Sequence, residues 1–381
     1  MSFPIDKFQE QKTPFYFYDL TLLQSTLNKI NECVAGMPYF VHYAVKANAN
    51  PRIVREIGNA GLGIDCVSGG EIRAALAAGV PGDKIVYAGV GKTDDEINLA
   101  LDNDILCFNV ESIPELEVIN DLAALRGKMA SIAIRVNPNI DAHTHRYITT
   151  GLNENKFGID LEILDDVVER VKLLPNVNLI GLHFHIGSQL LDMQPYVMLC
   201  EKANALISLF ESRGINLKII NVGGGLGVDY CYPDQNPLPD FETYFDVFKH
   251  HLNLRPGQEL HFELGRAIVA QCGSLITKVL YVKTGTAKKF VIVDAGMTDL
   301  IRPALYQAHH KIENITAESG EKEQYDVVGP ICESSDVFGT DEILPPTSRG
   351  DLIALRSAGA YGEIMASGYN CRPLPGSVFS E

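Results

Sequence analysis

Several polar residues in this 381-residue sequence stand at the ends of short apolar runs, where packing alone does not account for them. Lys46 closes the run Tyr39-Phe40-Val41-His42-Tyr43-Ala44-Val45. An ammonium group is costly to take out of water unless it is paired or loses its charge. Lys46 therefore either snorkels into solvent past a strand end or acts as a desolvated amine able to form a Schiff base with a carbonyl compound. His183 and His185 lie two apart in Leu179-Ile180-Gly181-Leu182-His183-Phe184-His185 and so share a strand face. They suit either a metal pair or one imidazole lying flat against an aromatic ring. Gly223-Gly224-Gly225 offers backbone N–H groups to a phosphate or forms an ordinary turn, and Ser188 is a hydroxyl donor for the same anion. Glu263 ends Glu259-Leu260-His261-Phe262, and Arg266 follows as a carboxylate or phosphate partner.

The elements that must position these residues alternate regularly. Starting with the lysine run, eight strand-like segments are separated by helix-like ones, ending with Glu259 to Glu263. That rhythm belongs to a parallel sheet covered by helices, and eight repeats over this length favour a closed (β/α)8 TIM-like barrel. An open doubly wound sheet is the alternative. It calls for GxGxxG after the first strand, where this chain carries Lys46-Ala47-Asn48-Ala49-Asn50. In a barrel the C-terminal strand ends share one rim, which gathers Lys46, Asp65, Asn109 or Glu111, Arg135 with Asn137, His185, the glycine run and Glu263. After Gly265 the texture becomes strand-rich, at Gly273 to Thr284, Phe290 to Asp294, Tyr325 to Gly329 and Asp351 to Ser357. The expected organisation is a barrel over residues 22–264 and a C-terminal β-rich barrel or sandwich over 265–381, to which 1–21 adds a strand. The charged stretch Glu313 to Gln324 reads as an exposed loop.

Net charge of −16 and a pI near 5.1 exclude nucleic acid or an anionic membrane as a partner through bulk electrostatics. Small molecules and further copies of the chain are the expected partners. The eight cysteines are scattered without CxxC spacing, so neither a disulfide framework nor a zinc module is indicated. The N-terminus shows no basic and apolar leader, and no run reaches the roughly 18 apolar residues of a span. A cytoplasmic protein is expected.

A Schiff-base lysine, a phosphate cradle, a ring-stacking histidine and a carboxylate for a pyridine nitrogen together describe a pocket for pyridoxal 5′-phosphate. A metal centre is not expected, because the first and last strands end in Lys46 and Glu263 and leave the ligand set thin.

The motifs Tyr43-Ala44-Val45-Lys46-Ala47-Asn48, Gly151-Leu152-Asn153-Glu154-Asn155-Lys156-Phe157-Gly158, His183-Phe184-His185-Ile186-Gly187-Ser188-Gln189, Val222-Gly223-Gly224-Gly225-Leu226-Gly227 and Glu263-Leu264-Gly265-Arg266 span the first region. Ile301-Arg302-Pro303-Ala304-Leu305-Tyr306, Gly329-Pro330-Ile331-Cys332-Glu333 and Gly359-Ala360-Tyr361-Gly362 follow in the second. With these, the whole chain resembles the fold-type III pyridoxal-phosphate decarboxylases, most closely those acting on meso-2,6-diaminopimelate.

The resemblance implies decarboxylation of that amino acid to L-lysine. It makes Lys46 the cofactor-bearing lysine, His185 the stacking ring and Glu263 the pyridine-nitrogen partner. Ser188, Gly224 and Gly225 become phosphate contacts, with Asp65, Arg135 and Tyr361 also near the cofactor. Arg266, Arg302, Tyr306, Glu333 and Tyr361 become substrate contacts, Glu333 reading the distal amino group. Cys332 becomes the acid that protonates the α-carbon. In the family Cys332 and Glu333 come from a partner subunit, so a homodimer with shared sites is implied. Leu264 departs from the proline usual there. Decarboxylation of another basic or carrier-bound amino acid, a non-catalytic pyridoxal-phosphate protein and a metal-dependent barrel hydrolase remain as alternatives.

Overall fold

The computed structural model describes residues 3–140, 156–317 and 320–381, so Gly151 to Asn155 of one expected motif lie outside the described residues. Eight short strands, Tyr39–Ala44, Gly63–Cys66, Ile85–Tyr87, Cys107–Val110, Ala130–Arg135, Val177–His183, Ile219–Asn221 and Glu259–Leu264, pair in sequence order into a closed barrel. Closure is made by parallel pairing of the last strand with the first, where His42 stands opposite Glu263 and Tyr43 opposite Leu264. Most of these strands are buried on both faces, which explains why they read as continuous apolar runs rather than alternating ones. Leu264, in the position usually held by proline, is a fully buried strand residue.

The helices of the barrel begin where polar side chains take over from strand pairing. Asn50, Ser68, Thr93, Ser112 and Asp240 each accept a hydrogen bond from a first-turn backbone N–H, and Thr93 forms a complete capping box with Glu96. Such caps contribute about 1 kcal/mol each and set where each strand hands over to its helix. The first strand stops at Ala44, earlier than its apolar run suggests, and Lys46 sits in a single 3-10 turn, Val45–Ala47. The turn is held by Asn48 N–H donating to the Val45 carbonyl at 3.0 Å and by the Tyr43 hydroxyl donating to the Asn48 carbonyl at 2.9 Å.

By internal packing the chain forms two units, one comprising Leu27–Gly227 with Asp240–Gly265, the other Met1–Thr26, Val228–Pro239 and Arg266–Glu381. In the second, the strand order is Ile312–Asn314, Leu352–Leu355, Gly273–Thr284, Lys289–Val293, Glu323–Val328, Val337–Leu344. Phe15–Tyr18 pairs antiparallel with Gly273–Thr284 and parallel with Gly376–Phe379. Phe8, Phe15, Phe17, Ile276, Leu352 and Ala354 form an apolar cluster on this sheet. The stretch Glu313 to Gln324, expected as a loop, has strand at both described ends. Glu313 pairs with Ala354 and Gln324 with Ile343, so these polar residues lie in real strands, while 315–317 and 320–322 carry no strand. The segment Val228–Pro239 belongs to this unit because Gln271 Nε2 donates to the Asp229 and Asn236 carbonyls at 3.0 and 3.1 Å and Arg356 Nη2 donates to Asp234 at 2.7 Å.

Candidate active site

Glu263 is the centre of the polar arrangement inside the barrel. It is 7 % exposed. Its Oε1 accepts from Asn221 Nδ2 at 2.7 Å and from Asn109 Nδ2 at 3.1 Å, and its Oε2 lies 2.9 Å from His183 Nε2. Four strands thus meet on one carboxylate. Burial works against its ionisation, but the charge of His183 and their hydrogen bond, then the charges beyond it including Lys46, outweigh burial and hold Glu263 well below the usual carboxylate range. With one protein partner on Oε2, a lone pair remains for a further donor, the requirement for a ring N–H.

Asp65, on the second strand, takes the opposite state. It is almost fully buried, and its Oδ1 has no hydrogen-bond partner among the described residues. Burial, then the Glu263 charge, push its pKa well up against the opposing pull of Lys46 and Arg135. Lys46 is half-buried and acts electrostatically on Asp65, Glu71, His185 and Glu263. Arg135 at the fifth strand end donates from Nη1 to Glu111 Oε1 at 2.6 Å and covers the Phe157 ring at 4.8 Å. Glu111 Oε2 also accepts from Gly158 N–H at 2.8 Å. Arg135 is therefore held by a buried ion pair.

The glycine run has a steric reason. A Cβ on Gly224 would stand 1.9 Å from the Glu263 carbonyl oxygen. Gly225 has φ +108, and its Cβ would come 2.7 Å from the Gly187 carbonyl oxygen and 2.9 Å from the Tyr196 hydroxyl. Only a backbone without side chains fits here. Gly224 N–H points to His185 Nδ1 at 3.4 Å, which leaves the proton on Nε2. Burial, then Lys46 and Arg135, keep His185 well below its ordinary pKa and hence neutral. Ser188 lies half-buried in the loop after the sixth strand. His183 commits its Nε2 to Glu263, so that nitrogen is not open to a metal.

These features fit pyridoxal phosphate: an ionised carboxylate with a free lone pair for the ring nitrogen, a side-chain-free backbone cradle, a neutral imidazole beside it, and an amine among carboxylates. Lys46, Asp65, Arg135, His185, Ser188, Gly224, Gly225 and Glu263 all belong to the barrel unit.

The remaining expected residues belong to the β unit. Arg266 Nη1 donates to the Tyr230 hydroxyl at 2.6 Å and its guanidinium lies 5.0 Å from the Tyr361 ring. Arg302 covers the Tyr230 ring at 4.9 Å. Despite burial, the two guanidinium charges lower the Tyr230 pKa. Tyr306 acts on Arg266 electrostatically. Arg266, Arg302, Tyr306 and Tyr361 therefore cluster. Cys332 and Glu333 do not join them: both are exposed, with Cys332 N–H reaching Asn370 Oδ1 at 3.5 Å and Glu333 accepting from the Tyr369 hydroxyl at 2.8 Å.

Asn221, Tyr230 and His310 were missed by sequence reasoning. Asn221 was discoverable, since it ends a strand immediately before the glycine run. Tyr230 and His310 follow no motif spacing; only the fold brings them to the arginines.

The pyridoxal binding domain of the pyridoxal-dependent decarboxylases matches residues 20–270. A diaminopimelate decarboxylase of Bacteroides thetaiotaomicron is 63 % identical over 380 residues, covering 100 % of this chain and 98 % of that protein. The crystal structure of the Helicobacter pylori diaminopimelate decarboxylase complexed with L-lysine is similar at TM-score 0.93 and 43 % identity, over 99 % of this chain and 94 % of that one. The enzyme of M. jannaschii in complex with L-lysine is similar at TM-score 0.90 and 37 % identity, over 99 % and 89 %.

Proposed function

The chain belongs to the pyridoxal-dependent decarboxylases, and we propose that within that family it converts meso-2,6-diaminopimelate to L-lysine and carbon dioxide. The observation that carries the substrate is full-length similarity at 63 % identity to a diaminopimelate decarboxylase, supported by two guanidinium groups gathered on one phenol in the β unit. A substrate with a carboxylate at each end needs two such groups; ornithine has one carboxylate.

When bound, pyridoxal phosphate supplies a sink for the electron pair left on the α-carbon as carbon dioxide departs. Lys46, His185, Ser188, Gly224, Gly225 and Glu263 would hold it. Glu263 stays ionised and accepts the ring N–H, fixing a positive charge where electron density must collect. Asn109, Asn221 and His183 prevent the carboxylate from rotating away. Arg266 and Arg302 bind substrate carboxylates, with Tyr306, Tyr361 and Glu333 completing recognition. Cys332 returns a proton to the α-carbon. In this reading Cys332 and Glu333 serve the partner's site of a homodimer, which their exposure supports, and the eight free thiols suit a cytoplasmic enzyme. Among the described residues no helix is long and apolar enough to cross a membrane.

Carbon dioxide release from diaminopimelate, ornithine, arginine and lysine tests the assignment. Turnover of diaminopimelate alone is expected, and an equal rate on ornithine overturns it. Mixing inactive Lys46→Ala and Cys332→Ala proteins should restore about a quarter of wild-type turnover if sites are shared. No recovery refutes the shared site.

A further inference from the structure

Arg302 and Arg356 are both buried in the β unit, at 5 % and 2 % exposure, yet they are held in opposite ways. Arg356 donates to Asp234 at 2.7 and 3.1 Å and to Glu313 at 2.5 Å, so two carboxylates neutralise it. Arg302 instead places Nη1 2.9 Å from Nε2 of His310. The largest influences on its pKa are burial, Tyr230, Arg266 and Tyr361, none of them a carboxylate. A buried cation left without an anion is costly, and such an arrangement persists when something else supplies the anion.

The state of His310 follows from its two partners. A guanidinium has donors only, so Nε2 must present a lone pair to Arg302. The other ring nitrogen, Nδ1, lies 2.9 Å from the Arg356 carbonyl oxygen, which has lone pairs only, so Nδ1 carries the proton. The ring is thereby fixed as a neutral tautomer with both nitrogens used. It is fully buried and meets the Tyr230 ring edge-on at 5.2 Å and 82°. Burial, then the Arg302 charge, take its pKa down to about 3, which keeps the ring neutral over the physiological range.

We propose that His310 is a positioning residue that fixes the direction of the Arg302 guanidinium without neutralising it, reserving that charge for the distal carboxylate of the substrate. The inference rests on the diaminopimelate reading. An aspartate or glutamate in place of His310 would hold Arg302 as firmly but would already occupy it electrostatically, and the incoming carboxylate would then compete with a resident one. A neutral acceptor orients the fork and leaves the full attraction to the ligand. Tyr230 assists in the same manner, offering Arg302 a ring face and Arg266 a phenol oxygen.

The test is the pair His310→Gln and His310→Glu in the cofactor-loaded enzyme. The two introduced side chains have the same reach and shape and differ in charge. The His310→Gln enzyme is expected to keep KM for diaminopimelate within about threefold of wild type, while His310→Glu raises it about thirtyfold with kcat changed less than about threefold. Inhibition by L-lysine, which keeps the distal carboxylate after the reacting one has left, should weaken in His310→Glu in step with KM and stay close to wild type in His310→Gln. Equal KM values in the two variants overturn the proposal and leave His310 a packing residue. Side-chain nitrogen NMR on the wild type needs no variant to fold. It should show one histidine as a neutral Nδ1–H tautomer from about pH 5.5 to 8, assigned to His310 by its loss in either variant; an imidazolium there at about pH 7 overturns the proposal. Wild-type enzyme inactive on diaminopimelate would refute the substrate reading instead, with the tautomer still deciding whether His310 is the neutral acceptor.

Discussion

Asn221→Ala should destabilise the barrel by about 3 kcal/mol, because this one side chain bridges the site carboxylate and the glycine run. Its Nδ2 donates to Glu263 Oε1 at 2.7 Å, and its Oδ1 accepts from Gly223 N–H at 2.9 Å, all at 2 % exposure. A hydrogen bond to a charged group contributes roughly 1.5–3 kcal/mol, and a buried N–H left without an acceptor costs roughly 1–3 kcal/mol. The sum lies at about 2.5 to 6 kcal/mol, and the lower part applies because Asn109 still donates to the same oxygen at 3.1 Å. Against a total stability of about 5–15 kcal/mol this is a large loss. Urea unfolding of the cofactor-free protein reads it as a lower midpoint at unchanged slope. Asn221→Asp separates the two roles: it keeps an acceptor for Gly223 but sets a second carboxylate against Glu263, so cofactor affinity should fall further than in the alanine variant. A loss under about 1 kcal/mol in Asn221→Ala, or tighter cofactor binding by Asn221→Asp, would refute the bridging argument.

Gly224→Ala should lose about 3 kcal/mol and bind the cofactor poorly, since its Cβ would stand 1.9 Å from a backbone oxygen that cannot step aside; thermal unfolding and cofactor titration check this. Asp65 has a raised folded pKa, so its contribution is complete below about pH 4 and is lost as pH rises through the folded value. Asp65→Asn should therefore gain stability over the cofactor-free wild type as pH rises above about 4, and a gain confined to more acid pH would contradict the assignment. His42 is buried against His261 at 2.9 Å with its pKa down at about 3, so its contribution is present above about pH 6.5 and lost as pH falls toward 3. His42→Gln should reduce the proton uptake on unfolding at about pH 5 by about one, measured from the slope of stability against pH. Cys332→Ala is expected to retain the bound cofactor's visible absorbance and lose most turnover; unchanged turnover removes its assigned role.

The eight-strand rhythm was legible because buried parallel strands are apolar on both faces while the intervening helices are amphipathic, and periodicity separates the two. The rim residues were legible for a related reason: a polar group ending an apolar strand has nowhere to go but the shared end. The stretch Glu313 to Gln324 is irregular at 315–317 and 320–322 as expected and differs at its ends, where strand positions that tolerate polar side chains resemble a loop. Lys46 reads as the end of the first strand but lies in the 3-10 turn that follows, since that turn is made by a hydroxyl and an amide rather than by periodicity.

What the amino-acid sequence determined by itself was the kind of chemistry: an amine, a carboxylate and a glycine cradle at positions dictated by a local pattern. The tertiary structure decided the charge on each group. Glu263 and Asp65 are both buried strand-end carboxylates, yet His183 and two asparagines from distant strands favour the charged form of one while burial and its neighbour's charge push the pKa of the other up. Arg302 and Arg356 diverge in the same way, through His310 in one case and Asp234 with Glu313 in the other. Protonation depends on desolvation and on charges a few ångströms away through space, and those neighbours, His310 apart, are tens to hundreds of residues distant along the chain.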